Sequence, residues 1–341
     1  MTPEPLASPS FHALRSHGVE GRVQSRIELL RLEDLSPGEV VVRTRHAGIN
    51  YKDCLAITGG AKIISEFPRI AGIEAVGEVL ASDVAQFQPG DAVMVHGFQT
   101  GIAFDGGFSA CLRVPQQHLQ KLPEGLSALE AAIIGVPGFT AAMALERFEE
   151  LGVTPDSGPV AVSGAAGAVG LLAIAILSKA GYRVAAITRR PQQQGAVLQQ
   201  LGAAEVIDAA VLAAAQRPLE KARFAAAIDN VGGPMLSWLL RSMQDGGCVA
   251  SVGNAGGNHY EGSVLPFIMR RVQLFGVVAN APWPQRQRLW QRLAGEHKPD
   301  FARLMPHVHH IGLDQLMGHA ARQLEGATAG RTLLSFDEVA Q

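Results

Sequence analysis

Cysteine is scarce in this sequence. The 341 residues include only Cys54, Cys111 and Cys248, far apart and in no CxxC spacing. Such spacing supports no disulfide framework, points to a reducing, cytoplasmic compartment and excludes a four-cysteine zinc site. An excess of either charge is missing too: 29 Lys and Arg face 31 Asp and Glu, for a net charge of −2. Nothing in that balance favours nucleic acid or a membrane surface as a partner. The N-terminal MTPEPLASPS lacks a basic region followed by an apolar one, so no signal peptide is expected. One uncharged run, Pro159–Ser178, is long enough to cross a bilayer. Its regularly spaced glycines and β-like start argue against a membrane span.

The length argues for two domains. From about Gly38 to Pro115, short β-rich runs such as EVVVRTRHAGI and EAVGEVLAS alternate with turns such as QPGD and FDGGFSA. Beyond LSALEAAIIG the texture changes. GPVAVSG reads as a buried strand, AVGLLAIAILSKAG as a helix ending at Gly181, and YRVAAIT as the next strand. PQQQGAVLQQLG follows as a helix with Pro191 near its start and Gly202 near its end. AEVID, FAAAIDNVG, GCVASVG and VQLFGVV continue the alternation, which predicts a parallel sheet covered by helices. PQRQRLWQRLAG reads as a late helix, and GRTLLSF as a closing strand that returns to the first domain. The predicted fold class is α/β, with a β-rich domain over residues 1–127, completed by 298–341, and a doubly wound domain over 128–297.

Gly164, Gly167 and Gly170 in SGAAGAVG follow one predicted strand and open one helix. In that setting glycines permit a tight turn and close approach of backbone to a pyrophosphate, and the helix N-terminus supplies free N–H groups. Ser163, Gly164, Ala165, Gly167, Ala168 and Val169 are the expected contacts of a dinucleotide. The next strand ends in Thr188, Arg189 and Arg190, where an NAD site usually carries an acid for the ribose 2′-hydroxyl. Two guanidiniums favour the 2′-phosphate of NADPH instead. In RIAGIEAVGEV, Glu74 is the odd residue: a carboxylate in a run that reads as a buried strand. Burial without partners costs several kcal/mol, so it is expected to meet backbone N–H groups or an arginine.

The domain order, together with GINYKDCLAITGG, GVPGFTAAMALERFEELGV, GAAGAVG and the closing GRTLL, resembles the medium-chain dehydrogenase/reductase superfamily. The resemblance covers nearly the whole chain and points to the zinc-free acrylyl-CoA reductase branch, often labelled quinone oxidoreductase. It implies a GroES-like catalytic domain, a Rossmann domain and a homodimer, with VQLFGVV as the pairing edge. Zinc alcohol dehydrogenases of this superfamily carry Gly-His-Glu where this chain has Gly72-Ile73-Glu74, and no cysteine stands at Asn50 or Tyr51. The ligands that a catalytic zinc needs are therefore missing, and no metal is expected. The resemblance also implies an active-site loop at Asn50-Tyr51-Lys52-Asp53. Tyr51 would donate to a developing enolate, with a packed, partly buried ring as the alternative; Asn50 would position, and Asp53 would pair with Lys52 or orient the loop. Thr140, Asn230, Gly253 and Arg331 are implied as further cofactor contacts, the last toward phosphates, with a surface ion pair as its alternative. Arg270 and Arg271 read as a solvated helix face, and the HVHH cluster at 307–310 matches no structural zinc pattern. The expected reaction is NADPH-dependent reduction of a short enoyl-CoA. A quinone or small-enone acceptor is the alternative, and a non-catalytic NADPH-binding protein the distant one.

Overall fold

The computed structural model describes residues 10–214 and 217–336. The chain divides into two compact units. One runs up to Val136 and takes in the residues from Val308 onward; the other is Pro137–His307. The division falls later than the expected 127 and 297 at both ends. The reason at the first boundary is Gly135. Helical residues Ala128–Glu150 are interrupted there by a non-helical glycine with φ 43° and ψ −153°. That conformation is open to glycine and strained for any other residue. The Val136-Pro137-Gly138 that follows is the local sign of the break, since proline and glycine both interrupt a helix. At the second boundary, Arg303 donates to the Gln200 carbonyl (3.2 Å), which keeps the segment after the late helix with the second unit.

The first unit holds two sheets. In the smaller, Phe11–Val19 pairs antiparallel with both Arg22–Leu30 and Arg69–Ile70. The larger follows the order Val308–Ile311, Arg331–Ser335, Val40–Gly48, Glu74–Ser82, Ala92–His96, Gln120–Lys121, with Cys111–Val114 also on Val40–Gly48. Alternate burial along Val40, Val42 and Thr44 is the period-two signature of a half-buried strand. Val40, Val42, Val79, Phe87, Val93 and Leu112 form one buried cluster. The closing strand Arg331–Ser335 runs antiparallel to Val40–Gly48, with Leu333 opposite Gly48.

The second unit is a six-stranded sheet, parallel throughout: Ala203–Asp208, Val184–Thr188, Val160–Val162, Phe224–Asp229, Met243–Ser251, Gln273–Gly276. Counted along the chain this is the order third, second, first, fourth, fifth, sixth, that of the dinucleotide-binding doubly wound fold. VAV, VAAIT and FAAAID are buried at every position, as expected of strands covered on both faces. The uncharged run Pro159–Ser178 is resolved into a strand, a loop and part of the helix Ala168–Lys179. Among the described residues only Ala128–Glu150 has the length and apolarity of a membrane span; most of its apolar window is buried within the protein.

Gly135→Ala is expected to destabilise the protein. The new methyl would carry a backbone penalty of about 1–3 kcal/mol. It would also press on the Glu74 carboxylate and the Arg331 guanidinium. A thermal melt should show a midpoint several degrees lower; an unchanged midpoint would contradict the strained geometry at this residue.

Candidate functional site

The glycine loop begins where strand Val160–Val162 ends. Gly164 takes φ 58°, and Gly167 caps the helix Ala168–Lys179 without any side-chain cap. The first-turn N–H groups are thus left for an outside acceptor at the positive end of the helix dipole. A Cβ on Gly170 would lie 2.5 Å from the Gly164 carbonyl oxygen, so only glycine lets the helix pack this close under the loop. Beside the loop, Ser163 Oγ donates to Asp229 (2.6 Å) and accepts from the Asn230 N–H (2.9 Å). Asn230 Nδ2 donates to the Ser163 carbonyl (2.7 Å), and its Oδ1 is buried with no partner. Gly253 lies against the Asn230 backbone, where a Cβ would come within 2.6 Å of the carbonyl oxygen.

Asp229 is the residue that sequence reasoning missed. It is fully buried and also accepts from the Val231 (3.1 Å) and Gly232 (3.0 Å) N–H groups. Burial pushes its carboxyl above the usual range, and these hydrogen bonds oppose the shift. The available signal was the one used for Glu74: an acid closing an otherwise apolar strand, FAAAID.

At the end of the neighbouring strand, Arg189 is exposed and Arg190 half-buried. The Gln194 amide, oriented to satisfy both its neighbours, donates to Thr188 Oγ1 and accepts from Arg190 Nε and Nη2 at 3.2 Å. The Arg190 N–H also reaches Thr188 Oγ1 (3.2 Å). Thr188 therefore organises the strand end through Gln194, while the guanidiniums supply the charge. Thr140 is buried in the helix that follows the break at Gly135. The loop, the open helix terminus and the orphaned Asn230 oxygen fit a dinucleotide.

The second constellation lies in the first unit. Asn50 precedes the helix Tyr51–Thr58, and its N–H donates to Asp53 Oδ2 (3.0 Å). Asp53 is 1% exposed and accepts the Ile73 N–H on Oδ1 (2.9 Å). Burial pushes its carboxyl up to about 7, and the charge of Glu74 adds to the shift. Asp53 thus ties the backbone ahead of the helix Tyr51–Thr58 to that of Ile73. Asn50 Nδ2 donates to Asp53 Oδ2 (3.1 Å) and to Glu74 Oε1 (2.7 Å). Glu74, the isolated acid of the sequence, also accepts from Arg331 Nη2 on Oε1 (2.8 Å) and from the Val136 N–H on Oε2 (2.7 Å).

This placement corrects the expectation for Arg331. Its guanidinium is not presented to phosphates; the residue is 2% exposed and spends Nη2 on Glu74 and the Ala132 carbonyl. The closing strand brings it beside Gly48, whose missing side chain leaves the space that Arg331 Nη2 fills. Tyr51 is half-buried, and no described residue hydrogen-bonds to its hydroxyl. Among the described residues no group of three or more His, Cys, Asp or Glu is arranged to hold a metal ion. His310 Nδ1 and His46 Nδ1 instead share the Ser335 hydroxyl (2.8 and 3.1 Å). Arg270 bonds the Arg241, Met243 and Glu220 carbonyls, and Arg271 pairs with Asp245.

Residues 36–124 match the alcohol dehydrogenase GroES-like domain, and 168–295 the zinc-binding dehydrogenase domain. The chain is 38% identical to the acrylyl-CoA reductase AcuI of Ruegeria pomeroyi over 93% of its own length and 96% of that protein. It is 37% identical to YhfP of Bacillus subtilis, provisionally named a quinone oxidoreductase, over 96% of this chain and all of that one. The YhfP crystal structure, with NAD bound, superposes with a TM-score of 0.90. The YhdH oxidoreductase of Salmonella enterica, solved in complex with NADP, is 38% identical with a TM-score of 0.89, covering 96% of this chain and 100% of that one. The chain belongs to the medium-chain dehydrogenase/reductase superfamily, in the branch of these acrylyl-CoA reductase and quinone oxidoreductase-type proteins, and is an oxidoreductase.

Arg190→Ala is expected to raise the KM for NADPH about 10- to 100-fold and leave that for NADH nearly unchanged. A charge-assisted contact to the 2′-phosphate is worth roughly 1.5–3 kcal/mol. Steady-state kinetics with both cofactors checks this; equal losses would show that the arginine does not read the phosphate.

Proposed function

We propose that this protein is an NADPH-dependent enoyl-CoA reductase acting on acrylyl-CoA. The observation that carries the reading is Tyr51: a hydroxyl with no hydrogen-bond partner among the described residues, at the start of a helix pinned by buried carboxylates. Its support is the similarity to AcuI along nearly the whole chain. When bound, NADPH supplies a hydride to the β-carbon of the thioester. The electron pair of the C=C bond then moves toward the thioester oxygen, and the α-carbon takes a proton; propionyl-CoA and NADP⁺ result.

The chain's own residues do the rest. The glycine loop and the N-terminus of the helix Ala168–Lys179 bind pyrophosphate. Arg189 and Arg190 neutralise the 2′-phosphate. Asn230 Oδ1 accepts a hydrogen bond from the bound dinucleotide, and Thr140 and Gly253 complete its seat. Tyr51 donates to the thioester oxygen as charge develops there, an interaction strengthened in the transition state. A thioester suits this chemistry because its double bond is already activated. The CoA portion lends remote binding energy to hold a small acyl group in line. Three free, buried cysteines suit a reducing, cytoplasmic setting.

NADPH oxidation with acrylyl-CoA, crotonyl-CoA and a benzoquinone side by side tests the reading. Acrylyl-CoA should give a kcat/KM at least roughly tenfold above crotonyl-CoA, since one methyl in a tight pocket is worth about 1–3 kcal/mol. In the same assay Tyr51→Phe should lower kcat by ~10²–10⁴ while cofactor binding holds. If the quinone is fastest and acrylyl-CoA inert, the quinone reductase reading, for which YhfP is the precedent, takes its place.

A homodimer belongs to the same proposal. Gln273–Gly276 ends its sheet, paired on one side by Met243–Ser251, and Val264, Ile268, Met269 and Val278 nearby are exposed. An edge of this kind favours pairing across a two-fold axis. Light scattering should return twice the chain mass; a monomer at micromolar concentration would exclude it.

A further inference from the structure

We propose that Glu74 and Arg331 are positioning residues for the acceptor half of the reaction, acting through Asn50 and Asp53 on Tyr51. The inference rests on the reading of Tyr51 given above. Asn50 Nδ2 donates to two buried carboxylates, Asp53 Oδ2 at 3.1 Å and Glu74 Oε1 at 2.7 Å, with the Gly48 carbonyl farther off at 3.5 Å, and its Oδ1 accepts from Arg331 Nη1 at 3.4 Å. Its plane is therefore set by the two carboxylates on its nitrogen and by Arg331 on its oxygen. Each carboxylate is itself fixed from the backbone: Asp53 by the Asn50 and Ile73 N–H groups, Glu74 by the Val136 N–H. Arg331 completes Glu74, and the Ala132 carbonyl holds the same guanidinium nitrogen. Tyr51 stands between Asn50 and Asp53 as the first residue of its helix, so both of its flanks are tied into this chain of contacts. Gly48 and Gly135 leave the space for it, since a Cβ on either would strike the Glu74 carboxylate and Arg331. Loss of the Glu74 charge weakens the anchor that Asn50 shares with Arg331 and the Val136 N–H, since an amide offers one acceptor oxygen where the carboxylate offers two, and it does so without touching Tyr51.

The test is a double-mutant cycle between Glu74→Gln and Tyr51→Phe on whichever acceptor the panel shows to be turned over fastest. Protein-bound NADPH fluorescence reads cofactor affinity alongside. Positioning predicts that Glu74→Gln lowers kcat at least tenfold and leaves the NADPH Kd within about threefold. Tyr51→Phe added to Glu74→Gln should then cost far less than it does alone. Additive losses, or an unchanged kcat per folded molecule, would overturn the proposal. A rise in NADPH Kd matching that of Arg190→Ala would also overturn it, returning the pair to the cofactor. Should Glu74→Gln fail to fold, the paired replacement Glu74→Gln with Arg331→Met leaves no lone buried charge and carries the same cycle. An inert acrylyl-CoA with strong coupling on a quinone would sink the enoyl-CoA reading alone; turnover of acrylyl-CoA without coupling would sink this one alone.

Discussion

A carboxylate and a guanidinium, both almost wholly out of water, hold the first unit together at its most demanding point. Desolvation of the Glu74 and Arg331 charges costs several kcal/mol each and is offset only when geometry and hydrogen bonding are complete. Here Glu74 accepts from a guanidinium, an amide and a backbone N–H. Four segments meet around it: Val40–Gly48 through Gly48, Glu74–Ser82 through Glu74 itself, Arg331–Ser335 through Arg331, and the start of Ala128–Glu150 through Ala132 and Val136. Removal of either charge strands the other, so these segments depend on one another. The register that sets Leu333 opposite Gly48 serves the same end, because it delivers Arg331 to the one place without a side chain.

Both units use a carboxylate at the edge of an apolar strand to tie down a loop. In the second unit Asp229 closes Phe224–Asp229, takes the Ser163 hydroxyl and caps two N–H groups of the turn that follows. In the first, Asp53 and Glu74 do this for the residues before Tyr51–Thr58. In each case the acid's contacts are internal: backbone N–H groups, small polar side chains and, for Glu74, the Arg331 guanidinium. Burial raises the carboxyl of both Asp229 and Asp53. Rigidity near a reacting or binding group is obtained from buried polar contacts, in which each unpaired group is costly.

Local features were legible. The strands of the second unit announce themselves as short apolar runs, and the glycine loop stands where strand turns to helix. The missing acid at Thr188-Arg189-Arg190 is visible by inspection. Glu74 was legible as a problem, and the kind of partner it needed followed from the cost of leaving it bare. The identity of that partner was not: Arg331 lies 257 residues away, in a motif read as reaching phosphates. Gln194 looks like one of three consecutive glutamines on a helix, and only the fold shows it bridging Thr188 and Arg190. Gly135, Pro137 and Gly138 signal a break, but not which of them takes the non-helical conformation.

The amino-acid order by itself determined the elements, the parallel-sheet unit, the glycine loop that opens its first helix and the two arginines that end the next strand. These depend on propensity, periodicity and glycine placement within a few residues. Tertiary structure alone decided where the chain divides, which buried acid meets which base, and that Asn50 is held between two carboxylates. Those outcomes depend on which segments the sheets bring side by side. A buried charge selects its partner by distance in space, to which separation along the chain gives no measure.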